Sequence, residues 1–413
     1  MSDLTKSIKE LLEFHGKPKR EVYLDTENSG WVAPEVLEEM LPYFNKRAYG
    51  NPAITHKVGW ESYEALREAA LKISRLIGAD SPQNIAFTHS GTEANNLAIM
   101  GYLMGKKWLG RKVIVSSIEH LSVIHTAEHM QKYGFKVIKL PVDEEGRIDL
   151  DKLSDLVDKG TSLVSIMMVN HEIGTIEPIR DAVEIVKDKN PDAVFHTDAV
   201  EAFGRMRIDV KKLGLDMMTL SSHKILGPKG VGALYIRDGL KVDKIIHGQL
   251  SVEPLWPGVE NLPAIVGFSK ASELCYENFD EKINRMRRLR DKLVDGILEN
   301  IPYTILNGPY GDGRVVDNVN MSFLHCEGEA ITIELSTYGV YVSSGSACTS
   351  RILQPSHVML AIGRKYEEAH GSILMKVNRY HTEDDIDYVL EVLPKAIGRI
   401  RMISSSKPTQ GDV

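Results

Sequence analysis

Residues 163–198 read LVSIMMVNHEIGTIEPIRDAVEIVKDKNPDAVFHTD. Two apolar runs rich in β-branched residues, 163–169 and 193–197, enclose a segment, 177–190, whose apolar residues recur at helical spacing. A strand, a crossover helix and a second strand in this order are typical of a parallel pair in one sheet. This stretch therefore predicts an α/β fold.

The same alternation extends in both directions along the chain. Further strand candidates are IAFT (85–88), KVIVS (112–116), KVIKL (136–140) and GALYI (232–236). A helical pattern covers residues 91–105. Alternation over roughly 200 residues favours a mostly parallel sheet with helices on both faces. In such sheets a ligand usually binds beyond the carboxyl ends of the strands.

The chain also predicts a second, smaller α/β domain. Residues 276–300 form a long charged helical pattern with no strand partner, which we expect to bridge two domains. The predicted division is a large domain over 22–275, a small domain over 1–21 and 276–400, and a disordered tail over 401–413.

Composition excludes several classes of protein. The 413 residues are 43% hydrophobic and 26% charged, as in an ordinary globular protein with a sizeable core. A net charge of −7 gives no support for a nucleic-acid partner, and no apolar run approaches the ~18 residues of a membrane span. The first residues lack the apolar core of a secretory signal. Three cysteines do not make a disulfide framework, so we expect a cytoplasmic protein with free thiols.

Polar residues follow three of the predicted strands, where a site would form. THSGTEANN (88–96) places small residues before a helix, which suits a phosphate but is common in strand–helix turns. Asp198 either caps a helix or holds a proton on a ring nitrogen. His120 is either a core histidine or a ring that lies flat on a cofactor. The residues alone leave both alternatives open at both positions.

A lysine in SSHKILGPKG (221–230) raises a similar choice. Most lysines are solvated surface charges, but Lys224 follows two possible hydrogen-bonding groups, Ser221 and His223. A lysine amine can form a Schiff base, which is how pyridoxal 5'-phosphate (PLP) is held in proteins.

The three cysteines differ in their surroundings. Cys348 lies in SSGSACTS (343–350), a loop of small residues that leaves a thiol accessible for attack. Cys275 and Cys326 have bulkier neighbours and fit the commoner role of inert core residues.

Together these motifs resemble the cysteine desulfurases of the NifS/IscS type, among the class V aminotransferase-like PLP enzymes. The matching stretches occur in family order from about residue 22 to 395: GNPAITHKVG, FTHSGTEANNLAI, SSIEHLSV, EIGTIEPI, FHTDAVEAFG, SSHKILGPKGVGALY, SSGSACTS, PSHVMLAIG and HTEDDIDYVL. The resemblance implies the fold of a fold type I (aspartate-aminotransferase-like) PLP-dependent transferase. It also implies a homodimer with sites at the subunit interface.

The resemblance assigns roles residue by residue. Lys224 matches the Schiff-base lysine, Asp198 the partner of the pyridine nitrogen and His120 the ring that stacks on PLP. The phosphate-binding positions are Gly91, Thr92, Ser221 and His223. Cys348 matches the cysteine that receives sulfur, so the implied reaction converts L-cysteine to alanine and leaves a persulfide on Cys348. Such enzymes serve iron–sulfur cluster assembly through a sulfur acceptor or scaffold protein. No metal ligand is implied.

The sequence departs from the family pattern on the substrate side. Leu374 replaces the arginine that grips the substrate carboxylate. His171 and Glu201 replace an asparagine and a glutamine at the PLP hydroxyl, and we expect both to remain cofactor-binding positions. Val259 stands where a threonine reaches the partner subunit's phosphate, and DTENSGW (25–31) replaces a family loop.

Three hypotheses follow from this pattern. The chain is a cysteine desulfurase in which another cation replaces the lost arginine, the candidates being Arg351, Arg364, Lys376 and Arg379. Alternatively it is a divergent class V lyase or aminotransferase that acts on another amino substrate. A non-catalytic scaffold is the weakest hypothesis, because Lys224, Asp198 and Cys348 are all present.

Overall fold

The computed structural model describes residues 18–105, 110–249, 252, 255–344 and 355–404. Within these residues, seven strands form a central sheet in the order β2-β8-β7-β6-β5-β3-β4. The strands are β2 (Ile85–Thr88), β3 (Lys112–Ser116), β4 (Lys136–Leu140), β5 (Thr161–Ser165), β6 (Val194–Asp198), β7 (Met217–Ser221) and β8 (Gly232–Ile236). β8 runs antiparallel to β2 and β7, and the other pairs are parallel. The predicted mostly parallel α/β sheet is confirmed.

Two details of the sheet differ from the sequence pattern. β5 ends at Ser165 instead of residue 169. Beyond it, the Ile166 and Met168 amides still donate to the backbone carbonyl oxygens of His196 and Asp198. β7 was not among the strand candidates. It is fully buried between β6 and β8, so it carries no polar alternation that would mark it as a strand.

Helices cover the central sheet and pack against a second, smaller sheet. They are α1 (Pro34–Met40), α2 (Pro42–Asn45), α3 (Lys57–Leu76), α4 (Gly91–Asn96), α5 (Tyr102–Met104), α6 (Leu121–His129), α7 (Leu150–Leu156), α8 (Ile179–Lys189), α9 (Val210–Leu213), α10 (Leu262–Tyr276), α11 (Phe279–Asn300), α12 (Gly328–Thr337), α13 (His357–Ala361), α14 (Tyr366–His370) and α15 (Glu383–Ile403). α10 packs against α3 and α1 on one side of the sheet. No helix among the described residues is long and apolar enough to cross a membrane.

A second, antiparallel sheet has the order β12-β13-β10-β9 in the described residues. Its strands are β9 (Thr304–Leu306), β10 (Asn318–Phe323), β12 (Ser343–Ser344) and β13 (Ser372–Lys376), and a separate parallel pair joins β1 (Val22–Tyr23) to β11 (Val340–Tyr341). Apolar residues of α11, α12 and α15 form one core with this sheet, and Val22 and Leu24 pack in it. α15 continues to Ile403, and residues 405–413 of the predicted tail lie outside the described residues.

The fold brings several strand ends to one edge. β6 ends at Asp198 and β7 at Ser221, two neighbouring parallel strands, and the helical run that begins at Gly91 follows β2 at the same edge. β13 of the second sheet faces this edge through Leu374, which lines a cavity there. The position agrees with the expectation that a site lies at the carboxyl ends of the strands.

Candidate active site

A cavity of about 250 Å³ lies at this edge of the sheet. The nine residues predicted to bind the cofactor all line it: Gly91, Thr92, His120, His171, Asp198, Glu201, Ser221, His223 and Lys224. Cys348 and Arg351 lie outside the described residues. The tertiary structure therefore brings together groups that are up to 133 positions apart (91 to 224) in the chain.

One end of the cavity is shaped by glycine. A Cβ atom on Gly91 would lie 3.2 Å from Val200 Cγ2 and 3.4 Å from Ser221 Cβ, so a side chain there would crowd the cavity wall. Gly232 on β8 is more constrained, because a Cβ would lie 2.7 Å from the Ser90 carbonyl carbon. Ser90 Oγ caps the helix by accepting the Glu93 amide at 3.1 Å. The close approach of β8 keeps this turn, with its free amides, against the cavity.

Asp198 faces the cavity from the last position of β6. Its Oδ2 accepts a hydrogen bond from Asn95 Nδ2 at 2.7 Å, and its Oδ1 accepts the Val200 amide at 3.0 Å. Burial raises the pKa of Asp198, while these two donors stabilise the ionised carboxylate. No helix follows Asp198 in the described chain, which continues as a turn, so the helix-cap alternative does not apply.

A hydrogen-bonded chain joins Asp198 to His120. Asn95 Nδ2 also donates to Ser122 Oγ at 2.8 Å, and Ser122 Oγ lies 2.7 Å from His120 Nδ1. The His120 ring is thereby oriented at the start of α6, 5.3 Å from the His171 ring. Burial lowers the pKa of both imidazoles, that of His171 well below its usual range, so both rings are neutral near pH 7.

Ser221 and His223 form a pair at the end of β7. Ser221 Oγ lies 3.0 Å from His223 Nδ1. Burial, with Lys224 beside it, lowers the pKa of His223 to about 4. The pair therefore offers neutral hydrogen-bonding groups near the Gly91 turn.

Lys224 lies in the short 3-10 turn His223–Ile225. The turn closes at Leu226, whose φ of 62° is left-handed, and Gly227 follows because a Cβ there would lie 2.2 Å from Ser222 Oγ. Lys224 Nζ donates to the Glu27 carbonyl oxygen and to Glu27 Oε1, both at 2.5 Å. The amine of the predicted Schiff-base lysine is thus held inside the cavity, with its side chain only 10% exposed.

Lys224 belongs to a buried chain of alternating charges. Glu201 Oε1 lies 3.0 Å from Lys224 Nζ, and Glu201 Oε2 accepts a hydrogen bond from Lys376 Nζ at 2.8 Å. Lys376 Nζ is 3.8 Å from Asp317 Oδ1, and Asp317 Oδ2 accepts from Arg205 Nε. With Glu27, three carboxylates are matched by three cations, which is the condition for burying such charges.

The charges of this network set the ionisation of its members. Burial alone would raise the pKa of Glu201, but Lys224, Lys376 and Arg205 hold it well below its usual range. Burial and the nearby Glu201 charge raise the pKa of Glu27. Burial would lower the pKa of Lys224, yet Glu201 and Glu27 raise it above its ordinary value. A free Lys224 amine in this cavity is therefore an ammonium ion shared by two carboxylates.

The substrate side of the cavity is poor in cations. Leu374 on β13 is buried and lines the cavity where the family pattern has an arginine. Of the replacements considered above, Lys376 is bound to Glu201, Arg364 donates to Asn307, and Arg379 faces a different cavity. In the described part of the chain, Lys224 is the only lysine or arginine that lines the active-site cavity.

Several residues of the site were missed by reasoning from sequence. Glu27 lies in the loop DTENSGW, which was noted only as a departure, and Asn95 and Ser122 lie in motifs that matched the family. Lys376 was considered only as a possible carboxylate ligand. Glu27 is one of two acids in this loop, and nothing in the loop indicates its partner.

The groups present fit PLP. The Gly91 turn with Ser221 and His223 suits a phosphate, the Asp198 carboxylate suits a ring nitrogen, the His120 ring suits a stacking partner, and Lys224 supplies the amine. These are the groups of an enzyme that anchors a phosphate-bearing aldehyde on a lysine.

Comparison with known proteins agrees with this class. A solved structure described as a NifS-like protein superposes with a TM-score of 0.86 at 34% identity, covering 92% of this chain and 100% of the other. A second, described as SspA in complex with cysteine, has a TM-score of 0.73 at 31% identity, covering 87% and 99%. The fold is therefore that of the fold type I PLP enzymes.

The family follows from sequence comparison. The Aminotransferase class-V family matches residues 22–389. Cysteine desulfurase IscS 1 of Archaeoglobus fulgidus is 45% identical over 382 residues, which are 92% of this chain and 98% of the relative. The chain belongs to the class-V aminotransferase family, and within it is similar to the IscS-type cysteine desulfurases.

Proposed function

We propose that this protein is a PLP-dependent cysteine desulfurase, which removes sulfur from L-cysteine to give alanine and a persulfide on Cys348. The observation that carries the proposal is the convergence of Lys224, Asp198 and His120 on one cavity in a chain that is 45% identical to an IscS protein. A protein of similar fold, SspA, has a structure in complex with cysteine, which supports L-cysteine as the substrate.

Different residues of the chain would take different roles in the reaction. PLP, when bound, supplies an electron sink for negative charge that develops on the substrate carbon. Asp198, held by Asn95 and the Val200 amide, would keep a proton on the ring nitrogen. Lys224, as the neutral amine, would take the proton from the substrate Cα, become the ammonium ion and return the proton later. Glu27 and Glu201 would hold the Lys224 ammonium while the lysine is free.

The sulfur step needs only the substrate and Cys348. The Cys348 thiolate attacks the substrate sulfur, and the bond between that sulfur and the substrate Cβ breaks. The electron pair of the bond stays on Cβ, which is protonated to give alanine. The sulfur remains on Cys348 as a persulfide, which a second thiol or an acceptor protein must remove before the next turnover. We infer that such an acceptor exists and that iron–sulfur cluster assembly is its destination.

We further infer a cytoplasmic homodimer, as the family resemblance implies. A contribution of the second subunit to the phosphate would have to come from a residue other than a threonine at position 259, where this chain has an exposed Val259. Sedimentation of the PLP-loaded protein measures the subunit number directly.

A second candidate function is supported by Leu374. Without a guanidinium on β13, the described cavity provides no fixed cation for an α-carboxylate. A divergent lyase or aminotransferase that acts on another amino compound would need none.

The deciding experiment incubates the PLP-loaded protein with L-cysteine and with a panel of amino compounds, and measures sulfide, alanine and keto acid. Lys224→Ala should lose the visible absorbance of lysine-bound PLP and all turnover, whereas Lys229→Ala, an exposed lysine of the same loop, should keep both. Alanine and sulfide from cysteine support the desulfurase. Keto acid or ammonia from another compound, with no reaction of cysteine, supports the alternative.

A further inference from the structure

A second, smaller cavity of about 40 Å³ lies behind the turn that carries Lys224. Its wall combines Arg205 and Cys275, the latter in α10, with Asn378 and Arg379, which follow β13. None of these side chains reaches the active-site cavity. The proposed function therefore leaves this cavity without a role.

Three hydrogen-bond donors at this cavity have no protein acceptor. Arg205 Nη1, Arg379 Nη2 and Asn378 Nδ2 are each buried and lack a hydrogen-bond partner in the described part of the chain. Buried donors are almost always satisfied in native proteins, by protein groups or by a bound species. Three such donors around one small cavity indicate that something accepts from them.

The two guanidinium groups are held in place by their other nitrogens. Arg205 Nη2 donates to the Lys224 carbonyl oxygen at 3.0 Å, and its Nε donates to Asp317. Arg379 Nη1 donates to the Ile225 carbonyl oxygen at 3.2 Å. The free N–H groups are therefore preorganised by the backbone of the lysine turn, and a ligand between them would pay little to orient them.

The charge around the cavity is positive. Arg205, Lys224, Lys282 and Arg379 contribute cations, and among the described residues that line it the only carboxylate is Asp317. Its Oδ2 pairs with Arg205, and its Oδ1 is buried without a hydrogen-bond partner in the described part of the chain. Cys275 Sγ lies 3.4 Å from Arg379 Nη1 and would supply a negative charge only as a thiolate. Burial raises the pKa of Cys275, so the thiol stays neutral near pH 7.

We propose that this cavity binds a small monovalent anion, with a halide such as chloride as the ligand. A volume of about 40 Å³ exceeds the ~10–15 Å³ that one water needs but has no room for an amino acid. A halide accepts from several N–H groups at once and would balance the guanidinium charges. It would also tie Arg205 to Arg379 across the turn of Lys224, and so stiffen the segment that positions the catalytic amine.

Crystals of the PLP-loaded protein grown in sodium bromide test the site directly. Bromide scatters anomalously, so an anomalous peak should lie between Arg205 Nη1 and Arg379 Nη2. A cavity that contains only water would overturn the proposal. This measurement does not depend on the reaction that the enzyme catalyses, so it stands or falls separately from the proposed function.

Thermal unfolding in solution provides the second test. The midpoint of the PLP-loaded protein should rise with sodium chloride and saturate in the millimolar range, whereas sodium gluconate at equal ionic strength should give no saturable rise. Arg379→Met should abolish the chloride effect. Arg180→Met, which removes an exposed cation that pairs with Glu184, should retain it.

Two outcomes would contradict the solution prediction. One is an equal response to chloride and gluconate, and the other is a chloride effect that survives in Arg379→Met. If Arg379→Met does not fold, Asn378→Asp provides the alternative, because it keeps the Oδ1 acceptor for the Tyr380 amide and places a negative charge beside the anion. That variant should also lose the chloride response.

Discussion

Lys376 Nζ lies 2.8 Å from Glu201 Oε2, and both side chains are almost completely buried. Lys376 is two residues after Leu374 on β13, so both side chains lie on the same face of the strand. β13 therefore has no guanidinium at position 374 of the cavity wall, but it has the Lys376 ammonium two residues later. This ammonium contacts Glu201 instead of a substrate. Through Glu201 this cation acts on Lys224, which makes Lys376 a positioning residue.

Lys376→Met should shift the pH at which Lys224 captures PLP. Without the Lys376 charge the surroundings of Lys224 are more negative, so the Lys224 ammonium is harder to deprotonate. The midpoint of the pH profile of the capture rate should therefore rise by about one pH unit. The charged groups around Lys224 are Asp25, Glu27, Asp198, Glu201 and Arg205. The neutral titratable groups there are the imidazoles of His120, His171 and His223. The measurement is the rate of appearance of lysine-bound PLP absorbance in the PLP-free protein, between pH 6 and 10.

The controls separate positioning from folding. Lys376→Arg should restore most of the wild-type pH profile, and in a Glu201→Gln background Lys376→Met should have less than about a third of its effect, as expected for coupled residues. An unchanged profile in a less stable Lys376→Met protein would reduce Lys376 to a structural role. Truncating one partner of such a buried pair costs about 3–5 kcal/mol, so the thermal midpoint must be measured alongside.

Asp198→Asn should bind PLP but lose activity. The amide keeps the size of the side chain and an acceptor for the Val200 amide, yet it cannot stabilise a protonated ring nitrogen. We expect kcat to fall by about 10²-fold or more, on the scale of a lost acid–base group. Asp209→Asn, which alters a partly exposed helix cap outside the cavity, serves as the matched control. A near-normal kcat in Asp198→Asn would exclude the ring-nitrogen role.

Cys348 should be the first cysteine to carry the persulfide. Cys275 and Cys326 are both buried, and burial raises the pKa of each thiol, which makes them poor nucleophiles. Alkylation and peptide mass spectrometry after a short exposure to cysteine should find the extra sulfur on Cys348. Cys348→Ser should abolish it, and Cys326→Ser should not. Sulfur found first on Cys275 or Cys326 in the wild type would contradict the assignment.

Leu374→Arg should lower KM for cysteine if no other cation grips the substrate. A bidentate guanidinium–carboxylate contact in a desolvated site is worth about 2–4 kcal/mol, roughly 30- to 1000-fold in affinity. The measurement is steady-state KM and kcat for cysteine, with Leu374→Met as the control for altered packing. If the wild type already binds cysteine tightly and Leu374→Arg weakens binding, a cation outside the described cavity holds the carboxylate, and Arg351 is the first to replace.

Glu177 should make stability fall as pH rises. Its buried side chain accepts the Ile148 amide, and burial raises its pKa from 4.5 to about 8. The native state therefore keeps a proton that the unfolded chain releases above pH 4.5, so this stabilising contribution is complete below pH 4.5 and is lost as pH rises toward 8. The loss is at most about 1.4 kcal/mol per pH unit.

The side chain of Glu177→Gln cannot titrate. In urea unfolding at pH 5.5, 6.5 and 7.5, the free energy of unfolding of this variant should therefore rise relative to that of the wild type at each higher pH. Glu184→Gln, an exposed residue of α8, should follow the wild type. Parallel curves for wild type and Glu177→Gln would mean that the buried carboxyl is not protonated at these pH values.

Local pattern in the sequence determined much of this protein. Apolar strands separated by helical segments predicted the parallel sheet, because the spacing of apolar residues within a short segment distinguishes a strand from a helix. Lys224, Asp198 and His120 were predicted as site residues through the family resemblance of the long motifs that contain them, because the residues alone left other roles open. The antiparallel position of β8 and the fully buried β7 could not be predicted, because strand order depends on contacts between distant segments.

Only the tertiary structure decided how the site's charges are paired. Lys224 and Glu27 are 197 positions apart and Lys376 and Glu201 are 175 apart, so nothing in the neighbourhood of any of these residues indicates its partner. The same holds for Arg205 and Arg379, whose buried donors meet at one cavity. A charge can be buried only where folding supplies its counter-charge or acceptor. For this reason the sequence could single out Lys224 as the predicted catalytic lysine, and the fold alone determined which carboxylates hold it.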